Sequence, residues 1–186
     1  MSEQKRISDW LTLAGVESPS QPIFPKSDKF QLALGLVLEE LIEAAESGSN
    51  EEFEKFIISA EKVIEDAKYS LYLRQQSQKD KESLHELRDA CADMRVVMGN
   101  LIHFAGIQDQ FDEDFKEVMD SNFSKFCTSE QEAQDSVDAY GVGNHPNKMG
   151  EVIECYHEKV GDYWIVKRKK DNKVLKSINF RDANFK

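Results

Sequence analysis

The chain has 186 residues, 40% of them hydrophobic and 32% charged, with 35 acids against 24 bases and a formal charge of -11. That length suits one domain with one core, and the acidic balance argues against a nonspecific nucleic-acid binder, which would show a basic stripe. No stretch reaches the roughly 18 apolar residues a membrane span needs, the polar residues 1–9 lack a signal peptide's apolar run, and Cys91, Cys127 and Cys155 lie far apart; the expectation is a cytoplasmic protein with reduced thiols.

Residues 7–13 have the spacing of a short amphipathic helix, and Pro19, Pro22 and Pro25 then impose an irregular linker. Ser27 or Asp28 can cap the next helix, which is predicted to run to about residue 47 and to stop at Gly48, Ser49 and Asn50. A third helix restarts at Asn50. Its apolar set Phe53, Phe56, Ile57, Ala60, Val63, Ile64, Ala67 and Leu71 keeps the helical period of about 3.6 residues. Residues 75–81 are polar and read as a bend. A fourth helix is predicted over about residues 82–105 with Gly106 as its C-cap, a fifth from Asp109 to about residue 123, and a sixth over residues 129–139. After Pro146 the pattern changes. Residues 152–157 are ambiguous. Residues 163–168 and 174–178 are rich in aromatic and β-branched side chains and are separated by the turn sequence Lys170-Asp171-Asn172-Lys173, a hairpin pattern. The expected architecture is all-α with a small C-terminal β-hairpin, one domain over residues 1–186, its helical core at about 27–140 and its hairpin at about 150–180.

Two acidic clusters carry the chemistry. One is Glu39-Glu40-x-x-Glu43 and the other is Glu86-x-x-Asp89-x-x-x-Asp93. Spacings of three and four place each cluster on one helix face. Both sit in leucine-rich surroundings, so their carboxylates are expected to be half-buried, where unpaired acids repel and resist desolvation. A shared divalent cation relieves both problems. All-oxygen ligands suit Mg²⁺, with Mn²⁺ as the alternative, and these metals handle phosphates. The bland alternative is a helix dense in surface acids. The third helix supplies that comparison: Glu51, Glu52, Glu54, Glu61, Glu65 and Asp66 spread around an ordinary amphipathic pattern, and most of them read as solvent-facing. No glycine-rich phosphate loop occurs, so phosphate binding falls to metal and side chains.

The order of motifs resembles the all-α nucleoside triphosphate pyrophosphohydrolases, the MazG-like and phosphoribosyl-ATP pyrophosphohydrolase-like superfamily. Their pattern is Glu-Glu-x-x-Glu, a spacer, then Glu-x-x-Asp, matched by Glu39, Glu40, Glu43, Glu86 and Asp89. The run from Asp89 to Asp93 followed by Val96, Val97 and Gly99 is similar to a continuation found in one subgroup related to dimeric dUTPases. Ser121-Asn122-Phe123-Ser124-Lys125 resembles that subgroup's Ser-Asn-hydrophobic-Ser-Lys box, and Asn172-Lys173-Val174-Leu175-Lys176-Ser177 resembles its final strand. Gly99 falls one residue early, the spacer is longer than in compact members, and Asn172 replaces the turn glycine.

The resemblance implies hydrolysis of a nucleoside triphosphate to monophosphate and pyrophosphate, in a homo-oligomer of at least two copies. It implies Glu39, Glu40, Glu43, Glu86 and Asp89 as the metal set, with Glu40 as the choice for activating water. Asp93 is a further ligand, a residue orienting one, or a partner for Lys125. Asp93, Asn122, Lys125 and Lys176 are the substrate-binding candidates: lysine binds phosphate as a mobile charge, and asparagine can read a sugar or base edge. Their ordinary reading is a capped helix end. Arg168, Lys169 and Lys170 are a solvated turn or reach a triphosphate tail. Phe123 fills core in preference to stacking on a base. His85, His103, His145 and His157 lack ligand spacing. Trp10 is a dimer contact or a core anchor, and Trp164 packs the hairpin. Competing functions are phosphoribosyl-ATP hydrolysis and a non-catalytic helical oligomer that binds nucleotide or protein.

Overall fold

The computed structural model describes residues 2–77 and 82–185. Six helices come first: α1 (Glu3–Leu13), α2 (Ser27–Glu46), α3 (Asn50–Gln76), α4 (Leu84–Ala105), α5 (Phe111–Phe123) and α6 (Glu130–Gly141). Two antiparallel strands follow, β1 (Cys155–Val160) and β2 (Tyr163–Arg168). This is the all-α architecture with a small C-terminal β-hairpin that the periodicities predict. Among the described residues no helix is long and apolar enough to cross a membrane.

Serine starts most of these helices. The hydroxyl oxygens of Ser2, Ser49, Ser83 and Ser129 each accept a backbone N–H three residues on, from Lys5, Glu52, Glu86 and Glu132, which satisfies one orphan donor of a first turn. Helix α2 differs. Its N-cap is Lys26, without a side-chain bond, so Ser27 and Asp28 lie inside the first turn instead of capping it. Pro25 comes directly before that cap and biases the chain to enter the helix from an extended segment. Gly106 ends α4 at φ 71°, where the Ile107 N–H closes back on the Ile102 carbonyl at 3.2 Å. The bend expected over residues 75–81 lies mostly outside the described residues; Gln75 and Gln76 complete α3.

The chain forms two compact units, one of Met1–Ser20 with Val96–Lys186 and one of Gln21–Arg95. In the first, α6 packs on both strands and α1 packs on α5. Its core is Cys127, Ala133, Tyr140, Cys155, Val166 and Leu175, with Val137, Ile153 and Trp164 against it. In the second, α2 packs on α3. No described residue of α2, α3 or α4 is fully buried.

The strand pairing differs from the expected one. Strand β2 pairs with residues 155–160, in register from Cys155↔Arg168 to Val160↔Tyr163, around a turn at Gly161 (φ 60°). The predicted partner, residues 174–178, meets the other edge of β2 only briefly, through the bridge Lys167↔Val174 and the Leu175 N–H to the Val166 carbonyl at 2.8 Å. The next donors leave the sheet. The Ser177 N–H bonds the Lys125 carbonyl at 3.1 Å, and the Ile178 N–H bonds Ser136 Oγ at 2.9 Å. The predicted turn at residues 170–173 does form. Asn172 takes φ 57° there, and Arg168 grips Asp171.

Candidate functional site

Helix α2 sets Glu39 and Glu40 side by side with Glu43 one turn on, and α4 sets Glu86, Asp89 and Asp93 on successive turns. All six are exposed. The half-burial expected from the helical wheel is therefore corrected for the single chain. The apolar neighbours meant to bury the acids are themselves exposed, Leu38 at 56% and Val97 at 64%. A wheel shows which face a helix tends to bury, and this chain does not cover that face.

The acids are also uncompensated. Among the described residues none of the six makes an ion pair, whereas on α3 Lys55 pairs with Glu51 at 2.9 Å and Glu52 at 3.0 Å, and Lys68 pairs with Glu65 at 2.8 Å. Those α3 acids face solvent as the sequence pattern predicts. Among the described residues no three acids, histidines or cysteines gather closely enough to hold an ion. The chain alone does not draw Glu39, Glu40, Glu43, Glu86 and Asp89 into one coordination sphere.

Three of the substrate-binding candidates, Asn122, Lys125 and Lys176, come together. The end of α5 and the turn after it carry Asn122 and Lys125, and Lys125 Nζ donates to Asn122 Oδ1 at 2.7 Å. Lys125 is thus partnered by Asn122. The C-terminal segment fastens onto the same turn. Beyond the Ser177 N–H, the Ser177 hydroxyl donates to the Ser124 carbonyl at 2.9 Å, and the Arg181 N–H donates to Ser124 Oγ at 3.1 Å. This places Lys176 beside the box. Burial pushes the half-buried Lys125 ammonium below its ordinary value, and the positive charges of Lys176 and Lys173 lower it further.

Trp10 joins the cluster from α1. Its Nε1–H donates to the Asn122 carbonyl at 2.9 Å, and its ring stacks on Phe126 at 5.9 Å. It is an internal anchor, the second of its two expected roles. Sequence spacing gave no sign of this contact, because Trp10 and Asn122 stand 112 positions apart. Phe123 lies between Phe126 and Tyr163, with the Arg6 guanidinium over its face, and so fills core. Trp164 packs against the core and stands edge-on to His157, as expected of the hairpin tryptophan. Arg168 is held by Asp171, whose carboxyl the guanidinium draws down to about 2. A shallow pocket of about 480 Å³ lies between Val152, Ile153, Glu154 and the run 168–170.

His145 is a core residue, fully buried and stacked on Tyr140 with ring centroids 3.8 Å apart. Burial pushes its imidazole down, Tyr140 up to about 12 and the Cys127 thiol up to about 11. Tyr140 supports Lys176 from below, its hydroxyl donating to the Lys176 carbonyl at 3.2 Å.

Comparison of the chain with protein-family models, with curated proteins and with solved structures gives no match.

Proposed function

We propose that the protein is a Mg²⁺-dependent hydrolase that splits a nucleoside or deoxynucleoside triphosphate into monophosphate and pyrophosphate, acting as a nucleotide-pool cleaner of the all-α pyrophosphohydrolase type. The observation that carries this reading is the pair of uncompensated acid clusters on α2 and α4, each surrounded by exposed apolar side chains. Charge without counter-charge on a face that calls for burial suits a metal ion supplied at assembly.

Glu39, Glu40, Glu43, Glu86 and Asp89 would hold the ion; their all-carboxylate oxygen set fits Mg²⁺, or Mn²⁺. The bound ion would bind phosphate oxygens and spread the charge that develops during phosphoryl transfer. Glu40 takes a proton from the attacking water. Asp93, one turn further along α4, orients a ligand. Lys125 and Lys176 engage the phosphate tail, and Asn122 reads a sugar or base edge. The active form is a homo-oligomer of at least two copies, because the apolar faces of α2, α3 and α4 exceed what a lone chain ordinarily leaves in water. Exposure of Leu32 at 58%, Val63 at 65% and Phe104 at 84% illustrates the excess.

Pyrophosphate release tests the reaction, measured on the four deoxynucleoside triphosphates, dUTP, the ribonucleotides and phosphoribosyl-ATP, with Mg²⁺ and with EDTA. Metal-dependent release from a nucleoside triphosphate supports the reading. A preference for phosphoribosyl-ATP reassigns the substrate, and silence across the panel leaves a non-catalytic binder. Light scattering at the assay concentration tests the assembly, and an active monomer would sink that part.

A further inference from the structure

Trp10 lies outside every motif that points to nucleotide chemistry, yet it holds the box from two directions. Its N–H fixes the Asn122 carbonyl at 2.9 Å. Its ring face carries the Lys125 ammonium 5.4 Å from the centroid. Lys176 is held similarly, with Nζ 3.7 Å from the Phe180 centroid. Backbone bonds keep the two lysines adjacent, because the Ser177 N–H closes on the Lys125 carbonyl. The charge of Lys173 also reaches Lys125.

Two ammonium-bearing residues therefore lie side by side on paired backbone, with little to balance their charge. Among the described residues Lys125 makes no ion pair, and Lys176 has only Asp182, 3.6 Å away and 85% exposed. The near partners of Lys125 are neutral: an amide oxygen and an aromatic face. Neutral partners orient an ammonium and replace part of its hydration without cancelling its charge. A multiply charged oxyanion binds it more strongly, through charge-assisted hydrogen bonds. The cluster is thus arranged to exchange weak neutral partners for a strong anionic one.

We propose that Lys125 and Lys176 form a metal-independent site for a phosphate-bearing anion, and that Trp10 is the positioning residue that holds Lys125 ready for it. The inference rests on Lys125 engaging phosphate and deepens that assignment. Two neighbouring cations favour a di- or triphosphate over a single phosphate. Binding draws Lys125 from the indole face towards the anion, so the emission of Trp10 reports occupancy.

The full-length chain carrying Trp164→Phe leaves Trp10 as the one indole, since the sequence holds two tryptophans. It is titrated with inorganic pyrophosphate in EDTA, against chloride at matched ionic strength, and calorimetry on the unaltered chain repeats the measurement without relying on that substitution. A saturable change in emission is expected with pyrophosphate and not with chloride. Lys125→Met and Lys176→Met should each weaken binding at least about tenfold, the loss of one charge-assisted contact, while Lys170→Met should change it less than about twofold. Trp10→Phe, which keeps a ring under Lys125, should bind better than Trp10→Leu, with the melting temperature of each recorded. Absence of saturation overturns the proposal, as does equal weakening by Lys170→Met and Lys125→Met, and as does parental affinity in Trp10→Leu. The two readings fail separately. Pyrophosphate binding through Lys125 without turnover of any nucleotide removes the hydrolase and leaves this site; turnover with an unresponsive Trp10 does the reverse.

Discussion

Ser136→Ala tests the latch that brings Lys176 to the box. Ser136 is fully buried on α6. Its hydroxyl donates to the Glu132 carbonyl at 2.7 Å and accepts the Ile178 N–H at 2.9 Å. Alanine removes both bonds, together with a 3.8 Å contact to Cys127 Sγ, with unequal results. The Glu132 carbonyl retains its helical partner, but the Ile178 N–H loses its acceptor. An orphaned donor costs about 1–3 kcal/mol, and because Ile178 is only partly buried the lower part of that range applies, about 1–1.5 kcal/mol. The effect should be local, so amide exchange measures it better than global unfolding. At about 1.4 kcal/mol per factor of ten, the Ile178 amide should exchange roughly tenfold faster. The Trp164 amide, bonded to the Cys127 carbonyl at 2.8 Å, supplies the control and should stay protected. Unchanged exchange at Ile178 in a folded variant would refute the latch. Equal acceleration at Trp164 would show that Ser136 serves the whole core rather than the C-terminal segment.

Glu43→Gln and Asp89→Asn should abolish most turnover, by a factor on the order of 10²–10³, while shifting stability by less than about 0.5 kcal/mol, since both acids are exposed and lack ion pairs among the described residues; normal kinetics in both variants would end the metal-site proposal. Lys125→Ala should weaken all accepted nucleotides by a similar factor, because charge reads phosphate. Asn122→Ala should alter discrimination among bases or sugars by about 1–3 kcal/mol, and identical losses across the nucleotide panel would reject the role of Asn122. His145 is held neutral by burial, with its folded pKa below the ordinary 6.5. Its stabilising contribution is present above that value and is lost as pH falls, because the unfolded chain takes up the proton first; the urea midpoint should drop from pH 7 to pH 5 more in the parent than in His145→Gln, and equal drops would contradict the assignment. Cys127, fully buried with its thiol pushed up to about 11, should resist maleimide in the native protein and react on unfolding, as mass spectrometry of the labelled peptides would show.

Local rules made the helices legible. Serine caps, Gly106 and the 3.6-residue period are decided within a few positions of one another, and α1 to α6 follow them closely. The C-terminal pairing was less legible for a definite reason. Residues 155–160 and 174–178 both carry strand-like composition, and either can pair with β2. The choice falls to distant groups: the Lys125 carbonyl and Ser136 Oγ take the Ser177 and Ile178 donors away from the sheet. The box shows the same division. Asn122 and Lys125 stand three apart and meet as helical spacing allows, whereas Trp10 reaches them across more than a hundred residues and leaves no local trace.

The acid helices divide in the same way between local pattern and distant packing. Their periodicity correctly marks faces with apolar character, but the single chain leaves those faces open, so the burial anticipated for Glu39, Glu43 and Asp89 cannot be supplied by α2 and α3 packing on each other. On the proposed reading both the missing burial and the missing convergence come from a second copy covering α2, α3 and α4. Assembly and metal binding then become linked. Each carboxylate cluster raises the electrostatic cost of association until an ion neutralises it, and the ion finds enough ligands only once the helices associate. Mg²⁺ should therefore shift the subunit equilibrium towards the oligomer, and Glu43→Gln, by removing one repelling charge, should make association less dependent on the metal even as it removes turnover. That opposite movement of assembly and activity distinguishes a metal centre from acids that merely keep a helical surface in water.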